Sequence, residues 1–221
     1  MYIEGKQISL IYDTHNEQPT MAFQDVDLLL ESGEMTGIMG PSGSGKSSLL
    51  YVLSGLKRPS SGAVFYDDAD IEGFSEDEKA RIRRCKFGFI FQRHFLIDYL
   101  PVLDNVLAIV NRKDECYRRY AMELLERLKI SHLANRKPWQ LSGGQRQRVA
   151  VARALVHEPA VVFADEPTAS LDHENGSEVM QILDEYREKI KTSLLVVTHD
   201  RSILKNAGQV LDIWDGRLKR Q

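Results

Sequence analysis

Cysteine is nearly missing from this chain: its 221 residues include two, Cys85 and Cys116, neither CxxC-spaced nor part of a larger framework. That excludes a disulfide-stapled scaffold and fits a reducing compartment, with two partly buried thiols as the plain reading. Long apolar runs are lacking too. The longest, such as Val161 to Ala164 and Ser193 to Val197, are far too short to cross a bilayer, so any work at a membrane must pass through another chain. Neither sign of charge dominates: 29 Lys/Arg stand against 32 Asp/Glu, a formal net charge of -3, and they are intermixed. A sequence-independent grip on a nucleic-acid backbone is therefore not favoured, no nucleic acid is expected as a partner, and clusters such as Arg81, Arg83 and Arg84 read as solvated faces. The N-terminus lacks a basic-then-apolar signal, and there is no internal repeat or low-complexity segment.

What is present is ordinary globular material, 43% hydrophobic and 28% charged, long enough for one substantial core or a core with an inserted subdomain. Ile3 to Tyr12 and Met21 to Glu31 read as strands, the second alternating at Val26, Leu28 and Leu30, with a turn around Asn16 to Pro19. Met35 to Met39 reads as a short buried strand followed by a glycine loop and a helix over Ser47 to Leu56. Phe87 to Phe91, Ala160 to Ala164 and Leu194 to Thr198 are short continuous apolar runs, the pattern of central strands in a parallel sheet covered on both faces. The fold class is α/β. Between Arg93 and His157 the periodicity turns helical: Tyr117, Tyr120, Ala121, Leu124, Leu125 and Leu128 line one face of a helix over Asp114 to Ile130. A second helix, Asp172 to Lys191, carries Val179, Ile182, Leu183 and Tyr186 on one side. These stripes are core packing and call for no ligand.

Gly40-Pro41-Ser42-Gly43-Ser44-Gly45-Lys46-Ser47 matches the phosphate-loop pattern GxxxxGK[ST] without a mismatch. Glycines let the backbone curl so that successive N–H groups point at phosphate oxygens, and they keep side chains out of that approach. Lys46 supplies a point charge for the β- and γ-phosphates and Ser47 a hydroxyl ligand for magnesium, while the helix beginning near Lys46 adds its N-terminal dipole. The competing reading is a flexible Gly/Ser turn. With glycine near ~7% of residues, a chance match in a chain of this size is on the order of one in a hundred, and the setting between a strand and a helix lowers that again.

A nucleotide site needs a second part, and "AVVFADEP" provides it: five apolar residues, Ala160 to Ala164, followed by Asp165-Glu166. Side chains alternate along a strand, so the two carboxylates leave its end in different directions and can hold different jobs. Asp165 is expected to bind Mg2+, through water, and Glu166 to accept a proton from an attacking water.

Leu141-Ser142-Gly143-Gly144-Gln145, followed by "RQRVAVARAL", "FADEPTASLD" and "VVTHD", makes the chain resemble an ABC-type ATPase domain from end to end. LSGGQ alone would be weak; in this order and spacing with the phosphate loop it is very specific. The resemblance implies a P-loop NTPase core with a mainly parallel sheet, an N-terminal antiparallel β subdomain and an inserted helical subdomain. It divides a single domain over 1–221 into an α/β core (1–92 and 158–221) and a helical subdomain carrying LSGGQ (93–157). It further implies ATP and Mg2+ as cofactors and a head-to-tail dimer, most simply a homodimer, in which LSGGQ of one protomer closes over the γ-phosphate held by the other. Ser142, Gly143, Gly144 and Gln145 would then meet the partner's nucleotide, with Asp172 of "SLD" at the opposite protomer.

Residue by residue, Gln92 after "FGFIF" matches the glutamine that joins the magnesium shell, His199 the switch histidine that contacts the γ-phosphate, and Tyr12 the aromatic that stacks on adenine. Ser48 belongs to the same loop. The catalytic set so implied is Glu166, His199, Gln92 and Lys46, with Ser47, Gln92 and Asp165 on the metal. Within the family the chain looks most like the compact bacterial group serving lipoprotein release, macrolide-type export and cell division. It departs at Ser48, at "TAS" and at "QRHFLIDYLPVLDNV", and it is expected to lack the regulatory C-terminal domain of many sugar-importer ATPases. The implied role is an ATPase subunit at the cytoplasmic face of the membrane, driving separate permease subunits through the segment Arg93 to Asn105. A non-transporting regulatory ATPase of cell division shares the same site, and a soluble ATPase of DNA repair or translation is disfavoured because there is no coiled-coil insertion or second cassette.

Overall fold

The structure is a computed structural model describing residues 1–12 and 19–220, so most of the turn expected at Asn16 to Pro19 lies outside the described residues. In chain order the elements are β1 (Ile3–Tyr12), β2 (Thr20–Leu30), β3 (Met35–Met39), α1 (Lys46–Leu53), β4 (Ser61–Tyr66), β5 (Ala69–Asp70) and α2 (Glu76–Lys86). There follow β6 (Phe87–Ile90), α3 (Val102–Val106), α4 (Glu115–Arg127), α5 (Gly143–Leu155), β7 (Val161–Asp165), α6 (His173–Ile190), β8 (Ser193–Val197), β9 (Gln209–Trp214) and β10 (Arg217–Arg220). The chain divides into two compact units, Met1–Arg83 with Ser193–Gln221, and Arg84–Thr192, the boundary falling within α2.

The first unit holds an antiparallel sheet in the order β2-β1-β4-β5. Strand β2 behaves as period-two patterning dictates: Val26, Leu28 and Leu30 are buried while Asp25, Asp27 and Leu29 face outward. In the same unit β3 lies between β8 and β9, parallel to both, with Ile38 beside Val197 on one side and Leu211 on the other. All five residues of β8 are buried and so are four of the five in β3, because neither face of these strands meets water.

The second unit pairs β6 in parallel with β7, Ile90 beside Ala164. Phe163 of β7 meets Phe87 edge-on at 5.1 Å between ring centres and stacks on Phe89 at 5.6 Å. Helix α5 packs on β6, and α3 and α4 pack on α5. The stripe of α4 buries Ala121, Leu124 and Leu125. Its start is set by Asp114, whose carboxylate accepts from the Cys116 N–H at 2.9 Å. Helix α6 begins the same way at Asp172 and ends on Lys191 in the left-handed region, φ 57°.

Several features differ from the sequence expectations. Both cysteines are exposed rather than partly buried. The helix expected over Asp114 to Ile130 closes at Arg127, where the chain turns through Lys129 at φ 59°. Helix α2 has no buried residue and hence no apolar stripe to reveal it. It is held at its start by a capping box, in which the Ser75 N–H donates to the Glu78 carboxylate at 2.9 Å and the Glu78 N–H to the Ser75 hydroxyl at 3.3 Å. The Ser75 N–H and the Ser75 hydroxyl, both donating to the Glu78 carboxylate, hold it below its ordinary range.

Phe163 is fully buried between two aromatic neighbours. Phe163→Ala is expected to cost about 3–5 kcal/mol through lost burial and an unfilled cavity, measured as a shift in the midpoint of denaturant unfolding at unchanged slope.

Candidate active site

In the first unit, candidate residues gather at the carboxyl ends of parallel strands, where open α/β sheets leave room for ligands. Strand β3 runs into the glycine loop, and neighbouring β8 ends two residues before His199, which is exposed. The Thr198 N–H donates to Ile38 O at 3.0 Å, tying the two strand ends together, and the Asp200 N–H donates to Thr198 Oγ1 at 3.0 Å.

The loop is shaped by close backbone contacts. Gly45 sits at φ 99°, and a Cβ there would lie 2.2 Å from Ala22 O. At Gly40, φ 148°, a Cβ would lie 2.2 Å from Ile213 O and 2.8 Å from Ser44 Oγ. Only glycine fits either position. Lys46 folds back over the loop and donates from Nζ to Gly40 O and Pro41 O, both at 2.8 Å. Two of its three donors are thereby directed and the ammonium is fixed as a buried point charge. Ser44 is also buried, and its hydroxyl has no partner. An orphaned hydroxyl and a tethered ammonium beside a helix start with no side-chain cap are what an anionic ligand would satisfy. Ser42 and Gly43 are exposed on the loop, and Ser47 lies in the first turn of α1.

Tyr12 ends β1, and its hydroxyl is hydrogen-bonded to Ser48 Oγ at 3.0 Å. Lys57 Nζ lies 3.9 Å from the ring centre. The sequence reading singled out Tyr12 and Ser48 separately; neither their bond nor Lys57 had any signal in it, because the partners are 36 and 45 residues away.

The second unit repeats the arrangement. Strand β7 ends in Asp165, 3% exposed, and β6 ends two residues before Gln92, so Gln92, Asp165 and Glu166 all leave carboxyl ends of adjacent parallel strands. Glu166 takes the left-handed region at φ 50° and opens a turn in which the Ala169 N–H donates to Glu166 O at 3.2 Å. The left-handed backbone at Glu166 turns the chain out of the strand, at a conformational cost of about 1–2 kcal/mol. Beyond Gln92, Phe91 stacks on Phe89 at 5.4 Å and meets Phe95 edge-on at 5.4 Å. Arg153 of α5 donates to His94 O and Phe95 O, both at 2.7 Å. Burial, together with the Arg146 and Arg153 charges, holds the His94 imidazole below its ordinary pKa.

Further along the same unit, Ser142 caps α5. Its hydroxyl accepts from the Gln145 N–H at 3.2 Å and its own N–H donates to Gln145 Oε1 at 2.9 Å. The Gln145 side chain is thus occupied by the cap. Gly143 and Gly144 pack against the loop Ser170-Leu171: a Cβ on Gly144 would lie 2.8 Å from a Leu171 methyl. A cavity of about 450 Å³ opens between them, lined by Ser142 to Gln145 and by Ser170 to Asp172, with Lys129, Arg148 and Asn175. Asp172 accepts from the Asn175 N–H at 2.9 Å, which with the Asn175 side chain holds its carboxyl below the usual range.

A sequence profile of the family described as ABC transporter matches residues 23–169. An uncharacterized ABC transporter ATP-binding protein of Methanocaldococcus jannaschii is 43% identical over 219 residues, 98% of this chain and 97% of that protein. The lipoprotein-releasing system ATP-binding protein LolD of Idiomarina loihiensis is 38% identical over 98% of this chain and 96% of its own length. The macrolide export ATP-binding/permease protein MacB of Rhodopseudomonas palustris is 45% identical over 90% of this chain, which spans only 31% of MacB. Among solved structures, the ATP-binding cassette MJ0796, in a dimeric post-hydrolysis state bound to ADP and Pi, superposes with a TM-score of 0.92 at 37% identity, covering 99% of this chain and 97% of that one. With the glycine loop, the Asp165-Glu166 strand end and the LSGGQ cap in place, the chain belongs to the ABC transporter family as one of its ATP-binding cassettes.

Proposed function

We propose that this cassette is the ATP-hydrolysing subunit of a membrane transporter, and that closure of two copies around ATP, followed by hydrolysis, drives separate permease subunits. The observation that carries the proposal is the glycine loop, where a buried lysine is held by two backbone carbonyls beside an unpartnered buried hydroxyl and an uncapped helix start. Gly40 to Ser48 then cradle the phosphates, Lys46 neutralises the β- and γ-oxygens, and Tyr12 stacks on the adenine. Glu166 accepts the proton of the attacking water, His199 orients that water at the γ-phosphate, and Gln92 links the chemistry to the segment that follows it.

Mg2+ fits the donors present. Among the described residues no group of three or more His, Cys, Asp or Glu could hold a metal. The candidates are the Ser47 hydroxyl, the Asp165 carboxylate and the Gln92 amide, a sparse oxygen set suited to an ion that keeps waters and takes phosphate oxygens. When bound, it supplies charge neutralisation at the phosphates.

Ser142 to Gln145 and Asp172 serve a second copy, whose nucleotide meets the start of α5. Among the described residues no helix is long and apolar enough to cross a membrane. We place the cassette peripherally at the cytoplasmic face, joined to its permease through Arg93 to Asn105, in a system for export or for extrusion of lipoproteins or peptides. LolD, named for lipoprotein release, and MacB, named for macrolide export, support this reading.

Two variants test it. Lys46→Ala is expected to lose at least tenfold in ATP affinity, the size of one charge-assisted contact, by titration with a fluorescent ATP analogue; unchanged binding would contradict the loop assignment. Glu166→Gln is expected to bind Mg-ATP normally, to hydrolyse it at least a hundredfold more slowly, and to accumulate as an ATP-bound dimer in sedimentation velocity. Near-normal turnover would remove Glu166 from the role of base.

A further inference from the structure

Arg148 lies on α5 six residues beyond its Ser142 cap, and it is only 8% exposed. Its guanidinium donates to Leu128 O at 2.8 Å, at the close of α4. It also donates to Asn175 Oδ1 in the first turn of α6 and lies 3.4 Å from the Glu178 carboxylate one turn on. Asn175 passes the connection forward: its side-chain amide donates to both carboxylate oxygens of Asp172, at 2.9 and 2.7 Å. Glu178 is shared with Lys129, whose ammonium reaches it at 2.6 Å. The charged groups around Arg148 are thus Glu178, Lys129 and, through Asn175, Asp172. Arg148 and Asn175 both line the cavity bounded by the LSGGQ turn and the Ser170-Leu171-Asp172 loop.

We infer that Arg148 is a positioning residue that locks the Asp172 loop to the signature helix through Asn175, so that both elements meet the partner protomer's nucleotide as one rigid piece. The inference rests on the proposed ATP-bound dimer. A flat guanidinium reaches three acceptors on two other helices at fixed angles, which a lysine ammonium on a flexible stem cannot reproduce. Without it, Asn175 loses the partner that orients its amide toward Asp172, and the loop is free to shift relative to Ser142. The competing account is that Arg148 merely staples α4 and α6 within the fold. That account moves thermal stability and nothing else.

The test uses the full chain with Arg148→Lys, Arg148→Met, Asn175→Ala and the double variant Arg148→Met/Asn175→Ala. Each is made alone for steady-state kinetics and in the Glu166→Gln background for ATP-driven dimerisation. The affinity of the single copy for a fluorescent ATP analogue is expected to stay within about twofold, because neither residue belongs to the glycine loop. The dimer dissociation constant is expected to rise, and kcat to fall, by roughly tenfold, the scale of coupling in a hydrogen-bonded network. The double variant should be no worse than Arg148→Met. Asn175→Ala, a partly exposed change near a helix start, keeps the test decisive if Arg148→Met fails to fold. Parental dimerisation and turnover in Asn175→Ala and Arg148→Lys, whatever their melting temperatures, would overturn the inference, and so would additive effects in the double variant. If the Glu166→Gln parent itself stays single with Mg-ATP, the dimer reading fails first and takes this one with it.

Discussion

The first N–H groups of an α-helix have no partner inside the helix, and this chain has two such starts, α1 and α5, in the segments we propose to meet nucleotide. They are built differently. Helix α1 begins at Gly45, left-handed and without a side-chain cap, so no cap side chain competes with a ligand for its first N–H groups. Helix α5 begins at Ser142 with a closed capping box that satisfies the Ser142 and Gln145 N–H groups internally. The second start is therefore stable on its own and offers chiefly the N–H groups of Gly143 and Gly144, with no side chain on either to hinder approach. In the proposed cycle this difference separates a resident grip on the phosphates from one that must be made and broken at each turnover.

The carboxylates follow a related logic. Asp165 is the last residue of a strand buried throughout its length, so its backbone is held by the sheet. Glu166 is the first residue out, and its left-handed backbone throws it into a turn leading to the Asp172 loop. A residue strained at φ 50° persists only where its surroundings insist on it. Here the surroundings are the rigid end of β7 and the turn closed by Ala169.

Polar side chains in the second unit do the connecting that apolar packing cannot. Arg153 fixes the backbone after Gln92 by its carbonyls, and Arg148 joins three helices through a carbonyl, an amide and a carboxylate. Apolar contacts are non-directional and tolerate small sliding. A planar guanidinium bonded to several acceptors does not, which suits segments whose register decides what a ligand or a second chain meets.

Much of this was legible in residue order. The glycine loop, Asp165-Glu166 and LSGGQ are contiguous motifs whose chemistry depends on neighbours a few positions away, and β1, β3 and α6 announced themselves by period or by short apolar runs between turn residues. Strands β4, β9 and β10 had weaker patterning, and α2 had no stripe because it buries nothing. The capping box Ser75 to Glu78 was the readable sign of α2. Residue order, then, determined which backbone stretch would form a tight glycine loop and which side chains would carry charge, since those properties are local. Tertiary structure alone decided that Ser48 holds Tyr12, that the Ser44 hydroxyl is left without a partner, and that Arg148 reaches Asn175. Each of these depends on which distant element folds alongside, and a contact across tens of residues leaves no period in the chain to be read.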